Sequence, residues 1–233
     1  IAEHPLETKG KFQVLSLDFS QVAGCADNLQ DAFHVYLGIK IDAFLRKYGK
    51  YYSQKAIEAA HNAPTAGGKI AAFVGEAKEK GYQLYLIIDE YDNFTNVVLN
   101  EQGHDVYHEM THGSGFYRDV FKTFKPNFTR ILFMGVSPIT LDDLTSGFNI
   151  ATNISIDSWF NDLLGFSETD VRKMISYYQD AGMIKKTADE VIAEMKPWYD
   201  NYCFAEDSFG VEPSMYNSNM VIYYMSLLIR TGR

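Results

Sequence analysis

The sequence predicts an α/β fold, a parallel β-sheet covered by helices, and three observations carry that expectation. Apolar stretches of strand length recur at Phe12–Phe19, Leu84–Ile88 and Thr129–Val136. Stretches with apolar residues at helical spacing stand between them. The second and third strands end in polar tips, Asp89-Glu90 and Ser137. A helix between two strands acts as a crossover, which makes the strands parallel and lays helices over the sheet.

Each element has its own signal. Phe12–Phe19 has a largely apolar body and reads as the first strand. Asn28 is placed to cap a long helix carrying Phe33, Tyr36, Leu37, Ile41, Phe44 and Leu45 at helical spacing. A short helix is expected from Gln54 to His61, broken by Asn62-Ala63-Pro64. Another is expected from about Lys69 to Lys80, closed by Gly81. The strand Leu84–Ile88 comes next, followed by a polar loop. Gly115 to Lys125 then places Phe116, Val120, Phe121 and Phe124 on one helical face, ahead of the strand Thr129–Val136.

After Pro138 the texture changes. One short strand is expected within Phe148–Ile156, and helices over Ser167–Ala181 and Thr187–Met195, the latter stopped by Pro197. Asn201–Val211 suggests a small hairpin or loop, and Asn217–Arg230 a final amphipathic helix. The organisation expected is a core over residues 1–158 and a helical lid over residues 159–233.

Composition narrows the function classes. With 233 residues the chain can bury one substantial core and a small appended subdomain. A net charge of −9 argues against non-specific nucleic-acid binding by the whole surface. Cys25 and Cys203 lie far apart and form no metal-type pair; they suit a reducing, cytoplasmic setting as small buried hydrophobes. No apolar run reaches membrane-spanning length, so no membrane partner is expected. The chain opens at Ile1 rather than Met and is read as a part of something longer.

Two carboxylates at the tip of a buried strand suit nucleotide chemistry. Asp89 can hold Mg²⁺ through its waters, and Glu90 can orient an attacking water. The plainer alternative is a buried strand that ends on two solvated acids. Ligands of open parallel sheets bind at the carboxyl ends of the strands, so Ser137 on the next tip can hydrogen-bond a phosphate or that water. It can equally cap the turn at Pro138. His108-Glu109-Met110-Thr111-His112 competes: on a helix, His-Glu-x-x-His sets two imidazoles one turn apart for zinc, with the glutamate as base of a zinc-dependent hydrolase. Any helix there is expected to be short, because Gly113-Ser114-Gly115 follows, and no third ligand stands out downstream.

Several strings together resemble a known family. They are Val14-Leu15-Ser16-Leu17-Asp18-Phe19-Ser20, Ile87-Ile88-Asp89-Glu90-Tyr91-Asp92, Gly115-Phe116-Tyr117-Arg118 with Phe121-Lys122, and Met134-Gly135-Val136-Ser137-Pro138-Ile139. Ser146-Gly147-Phe148-Asn149-Ile150, Trp198-Tyr199-Asp200-Asn201-Tyr202 and Tyr216-Asn217 complete the set. In order and spacing, from about Leu15 to Asn217, they are similar to the AAA-ATPase-like domain of bacterial and archaeal proteins that often carry a PD-(D/E)XK nuclease-like domain after it.

The resemblance implies a P-loop NTPase-like fold that binds ATP and Mg²⁺. Asp89 would end the Walker B strand and hold the metal through water. Glu90 would be the catalytic acid, and Ser137 the sensor-1 residue. Asp18 would lie near the nucleotide end of the sheet, where capping its own turn is the alternative. The implied partner is a C-terminal nuclease-like or interaction domain, with nucleic acid reached only through it.

One departure is serious. A P-loop needs G-x-x-x-x-G-K-[ST], whose amides and lysine hold phosphates. Gly67-Gly68-Lys69-Ile70 lacks the first glycine and the Ser/Thr and follows no strand, so it reads as a helix start. In the family the P-loop precedes the first strand seen here, which places it before Ile1 or marks it as lost. A catalytically silent scaffold for protein interaction is therefore the alternative function. Trp198-Tyr199-Asp200-Asn201-Tyr202 is expected to be a packed aromatic corner. Arg130 and Arg118 are candidates to face phosphate, with a solvated helix face the better expectation for Arg118.

Overall fold

A computed structural model of the chain describes residues 6–22, 28–112, 115–136, 152–200, 202–210 and 214–232. The chain divides into two compact units, Ile1–Ile150 and Ala151–Arg233.

The first unit contains the three expected strands: β1 (Phe12–Asp18), β2 (Gln83–Asp89) and β3 (Arg130–Phe133). They form one sheet in the order β1-β2-β3, parallel throughout. The register runs from Phe12 opposite Gln83 to Asp18 opposite Asp89, and from Tyr85 opposite Arg130 to Ile88 opposite Phe133. β3 is shorter than expected, ending at Phe133.

Strand side chains alternate across the sheet. Leu15, Leu17, Leu84, Leu86 and Ile88 point to one face and are buried there. They meet Phe33, Leu37 and Ile41 of α1 (Leu29–Tyr48), Ile70 and Phe73 of α3 (Ala66–Glu79), and Phe121 and Phe124 of α6 (Phe116–Asn127). Fully burying one such side chain contributes about 1.5–3 kcal/mol, so this face anchors the unit. The opposite face, with Val14, Ser16, Tyr85, Ile87 and Leu132, is half-buried or exposed.

The two sheet edges differ. Along β1, Tyr48 Oη accepts from Val14 N–H at 3.1 Å, and Tyr36 Oη accepts from Asp18 N–H at 2.6 Å. Tyr36 returns its own hydroxyl proton to Asp18 O at 2.7 Å. These hydroxyls from α1 satisfy backbone groups that an edge strand otherwise leaves unpaired. Along β3, no strand among the described residues occupies the outer edge.

Several helix starts follow from local chemistry. Ser53 Oγ accepts from Ala56 N–H at 3.2 Å to start α2 (Gln54–Asn62), and Thr65 Oγ1 accepts from Gly68 N–H at 3.1 Å to start α3. Asn28 occupies the N-cap of α1 but makes no side-chain cap bond, so the expected capping role fails. The polar loop expected after β2 is instead two helices, α4 (Asn93–Gln102) and α5 (His104–Thr111). Phe94, Thr95 and Val98 bury one side of α4 between its asparagines, which hid the periodicity.

The second unit has its own core, built from Val171, Ile175, Val191, Met195, Val221 and Met225. Its helices are α7 (Glu168–Asp180), α8 (Ala188–Tyr199) and α9 (Ser218–Thr231). Capping boxes start α7, from Ser167 and Asp170, and α8, from Thr187 and Glu190; Asn217 caps α9. Arg172 ties α7 to α8 through Asp189 at 2.7 Å.

Three expectations here have different outcomes. Residues 152–156 contain no strand, and 148–151 lie outside the described residues. Of the hairpin or loop expected at Asn201–Val211, the described residues form a loop, with one antiparallel bridge from Tyr202 to Met215 and a 3₁₀ turn over Glu206–Ser208. Pro197 does not stop α8, which runs on to Tyr199. A proline in the last turn removes only one helical hydrogen bond with two residues left to place.

Candidate functional site

The carboxyl ends of β1 and β2 bring two aspartates into register, Asp18 opposite Asp89. Their surroundings differ. Asp18 Oδ1 accepts from Ser20 N–H at 3.0 Å and from Ser20 Oγ at 2.6 Å, while Oδ2 accepts from Gln21 Nε2 at 2.6 Å. Lys40 Nζ stands behind, donating to Gln21 Oε1 at 2.9 Å. The Ser20 hydroxyl, then Gln21, the Ser20 amide and Lys40, hold the Asp18 carboxyl below its ordinary value against a smaller opposing effect of burial. Asp18 thus caps the 3₁₀ turn Phe19–Gln21, the plainer of its two expected roles.

Asp89 is exposed, and within the described residues it accepts only from the adjacent Glu90 N–H, at 3.0 Å. That leaves most of its oxygen capacity for a ligand. Glu90 has φ 52°, the one positive φ at a described non-glycine residue. A left-handed conformation costs a side-chain-bearing residue about 1–2 kcal/mol, so the surrounding turn must impose it. Asn93 N–H closes that turn on Glu90 O at 3.0 Å. The Glu90 side chain is half-buried and has no hydrogen bond or ion pair among the described residues.

The turn is braced from three sides. Tyr91 N–H donates to Met134 O at 3.1 Å, just past β3. Tyr117 of α6, fully buried, donates its hydroxyl to Tyr91 O, and burial holds that phenol far from ionising. Asp92 Oδ1 accepts from Val136 N–H at 3.2 Å. Ser137, the expected partner on the third tip, lies outside the described residues, as do Pro138, Ile139 and Ser146–Ile150.

Other candidates fall elsewhere. Lys69 Nζ donates to the carbonyls of Ala60 and His61, each at 3.2 Å, and stands 3.9 Å from Asp42. It finishes the C-terminal end of α2, and Gly67-Gly68 form the first turn of α3, so this Gly-Lys pair is structural. Arg130 sits over the Phe12 ring at 5.4 Å, at the amino ends of the strands. It is therefore at the wrong end of the sheet to face a ligand at Asp89. Arg118 is half-buried on α6 rather than solvated.

His108 and His112 stack with ring centroids 3.9 Å apart at 10°, and Thr111 Oγ1 lies 2.9 Å from His112 Nδ1. Among the described residues no group of three or more His, Cys, Asp or Glu side chains stands close enough to hold a metal ion. Trp198 is 79% exposed, so the expected aromatic corner does not form around it; Tyr199 alone of that pair packs on the helical core. Cys203 is half-buried, with Sγ 3.1 Å from Ala205 O, and Cys25 lies outside the described residues.

The first unit is an α/β unit with a parallel sheet, and an exposed aspartate and a conformationally constrained glutamate stand at the carboxyl end of its central strand. The chain belongs to the AAA-ATPase-like family: the family model described as a predicted AAA-ATPase matches residues 1–145. No curated protein and no solved structure matches the chain. No helix among the described residues is long and apolar enough to cross a membrane.

The sequence placed Asp89 and Glu90 at the end of β2 but gave no separate part to Tyr91 and Asp92, which tie that turn to the segment after β3. Asp92 had one usable signal. An acid directly ahead of a run with Phe94 and Val98 at helical spacing is a helix start, and a helix start there carries the chain straight off the tip.

Proposed function

We propose that this chain is part of an ATP-binding and ATP-hydrolysing domain in a multidomain protein, with Asp89 and Glu90 at its reaction centre. The observation that carries the reading is the parallel register that sets Asp89 at the carboxyl end of the central strand, its carboxylate exposed and mostly uncommitted. Such a carboxylate fits Mg²⁺ held through water, which when bound would neutralise phosphate charge. Glu90 Oε atoms would accept the proton of the attacking water. Ser137 would supply the sensor hydroxyl. Asp18 contributes the shape of the tip rather than a ligand.

The described residues supply no phosphate cradle, since Lys69 is committed to α2. The reading places a G-x-x-x-x-G-K-[ST] loop before Ile1. Two features of the sheet support that placement. Among the described residues, the outer edge of β3 carries no further strand and one face of the sheet is only half-buried, which would suit one more parallel strand and its helix. A nuclease-like or interaction domain beyond Arg233 would be the element switched by the nucleotide, in a bacterial cytoplasmic protein.

The alternative is a silent scaffold that keeps the fold for protein interaction, favoured by the structural use of Lys69 and Asp18. Phosphate release by the full-length protein with ATP and Mg²⁺ separates the two. Turnover supports the ATPase, and its absence with an intact fold supports the scaffold. Metal analysis of the purified protein tests the remaining reading, zinc hydrolysis through His108 and His112, which needs one bound zinc per chain.

A further inference from the structure

The end of β3 and the turn after β2 are joined by more than the sheet ladder. Met134 N–H donates to Ile88 O at 2.8 Å, and Met134 O then accepts from Tyr91 N–H. Asp92 adds a side-chain link. It is 1% exposed, with Oδ1 3.2 Å from Val136 N and Oδ2 3.2 Å from Asn96 Nδ2. It occupies the N-cap of α4 but makes no side-chain cap bond there. A carboxylate in that place ordinarily accepts from the first amides of its own helix. Here one oxygen is turned instead to a backbone 44 residues away.

Nothing apolar holds Val136 in place, because its side chain is 86% exposed. The hold on it that the described residues show is the hydrogen bond from its amide to Asp92. Gly135 makes the approach possible: a Cβ there would meet Asp92 Oδ1 and stand 2.6 Å from a Tyr91 ring carbon. Tyr117, buried behind Tyr91, keeps the other side of the turn from yielding.

We propose that Asp92 is a positioning residue that clamps the segment leaving β3 against the acidic tip of β2. It fixes where Val136 stands relative to Glu90. The idea rests on the ATPase reading for its catalytic consequence but not for the clamp itself. A hydrogen bond to a buried charged oxygen changes a local opening equilibrium by about ten- to a hundredfold.

The test uses the full-length protein and three variants: Asp92→Leu, Asp92→Asn and Gly135→Ala. Amide hydrogen exchange at Val136 should speed up about ten- to a hundredfold in Asp92→Leu and Gly135→Ala. Asp92→Asn keeps an oxygen acceptor and should stay near wild type. In phosphate release, the first two variants should lose kcat by a similar factor with nucleotide Kd unchanged, and Asp92→Asn should rescue. Wild-type exchange at Val136 in both disruptive variants would overturn the clamp. Faster exchange with unchanged kcat in an active enzyme would overturn the positioning role. If Asp92→Leu does not fold, Gly135→Ala carries the test from the opposite side of the contact. If the wild type releases no phosphate while exchange responds as expected, the ATPase reading fails and the clamp stands.

Discussion

The tips of β1 and β2 end in aspartates that face each other in register, yet one is closed and the other open. Asp18 already accepts three hydrogen bonds from Ser20 and Gln21, within three residues of itself. Asp89 keeps an exposed carboxylate because the next residue, Glu90, turns left-handed and carries the chain away into α4. The lesson is that a strand-tip acid is available to a ligand only where the following turn offers it few donors. Asp18 meets a serine and a glutamine; Asp89 meets a glutamate, a tyrosine and a second aspartate.

The comparison can be broken by mutation. The largest effect should come from Glu90→Gln in the full-length protein, where phosphate release should fall by about two to four orders of magnitude with nucleotide binding kept. Unchanged turnover would move Glu90 out of the mechanism and favour the scaffold. Next, Asp89→Asn should weaken Mg²⁺-dependent nucleotide binding by about ten- to a hundredfold, as expected for loss of a charged oxygen partner. A Mg²⁺ titration of binding measures it, and a wild-type curve would show that the open tip is not the metal side.

Asp18→Ala should instead cost about 1 kcal/mol of stability, the usual worth of a cap, with turnover within about threefold of wild type. Its pH dependence has a definite sign. The folded-state value of Asp18 is depressed below its ordinary 3.8, so the stability it gives is complete above 3.8 and is lost as pH falls through the folded value. Denaturant midpoints of wild type and variant should therefore converge in acid below about pH 3.8 and stay apart at pH 7. A gap that widened in acid would rule out the capping account.

The smallest effect sharpens the contrast most. Glu90→Gly should raise stability, by at most about 1 kcal/mol, because glycine accepts the left-handed backbone without a Cβ clash. The same variant should lose turnover to the same extent as Glu90→Gln. Strain kept at a residue that activity needs is the signature of a working site. If Glu90→Gly were destabilising, the positive φ would be an ordinary turn held by the side chain itself.

Much of the first unit was legible because its strands are short apolar runs, although β3 stops at Phe133, short of the expected Val136. Leu84–Ile88 needs no distant partner to be recognised, and Phe33 to Leu45 repeats at helical spacing over three turns. α4 and α5 were not legible. Their buried residues are few and set among Asn, Glu and His, and they fold as helices because the chain leaving Asp92 lies on the aromatic core. Pro197 and Trp198 misled for related reasons: the proline falls where a helix has little left to lose, and the tryptophan stays exposed.

The sequence by itself determined the three strands, their parallel connection through helices, and the placing of Asp89 and Glu90 at a carboxyl end. Those features depend on local periodicity and on the handed geometry of strand and helix. Tertiary structure decided that Lys69 serves a helix end and that Asp92 grips a backbone 44 residues away. Hydrogen-bond partners at that separation are set by how elements stack. No window of sequence contains both ends of the bond.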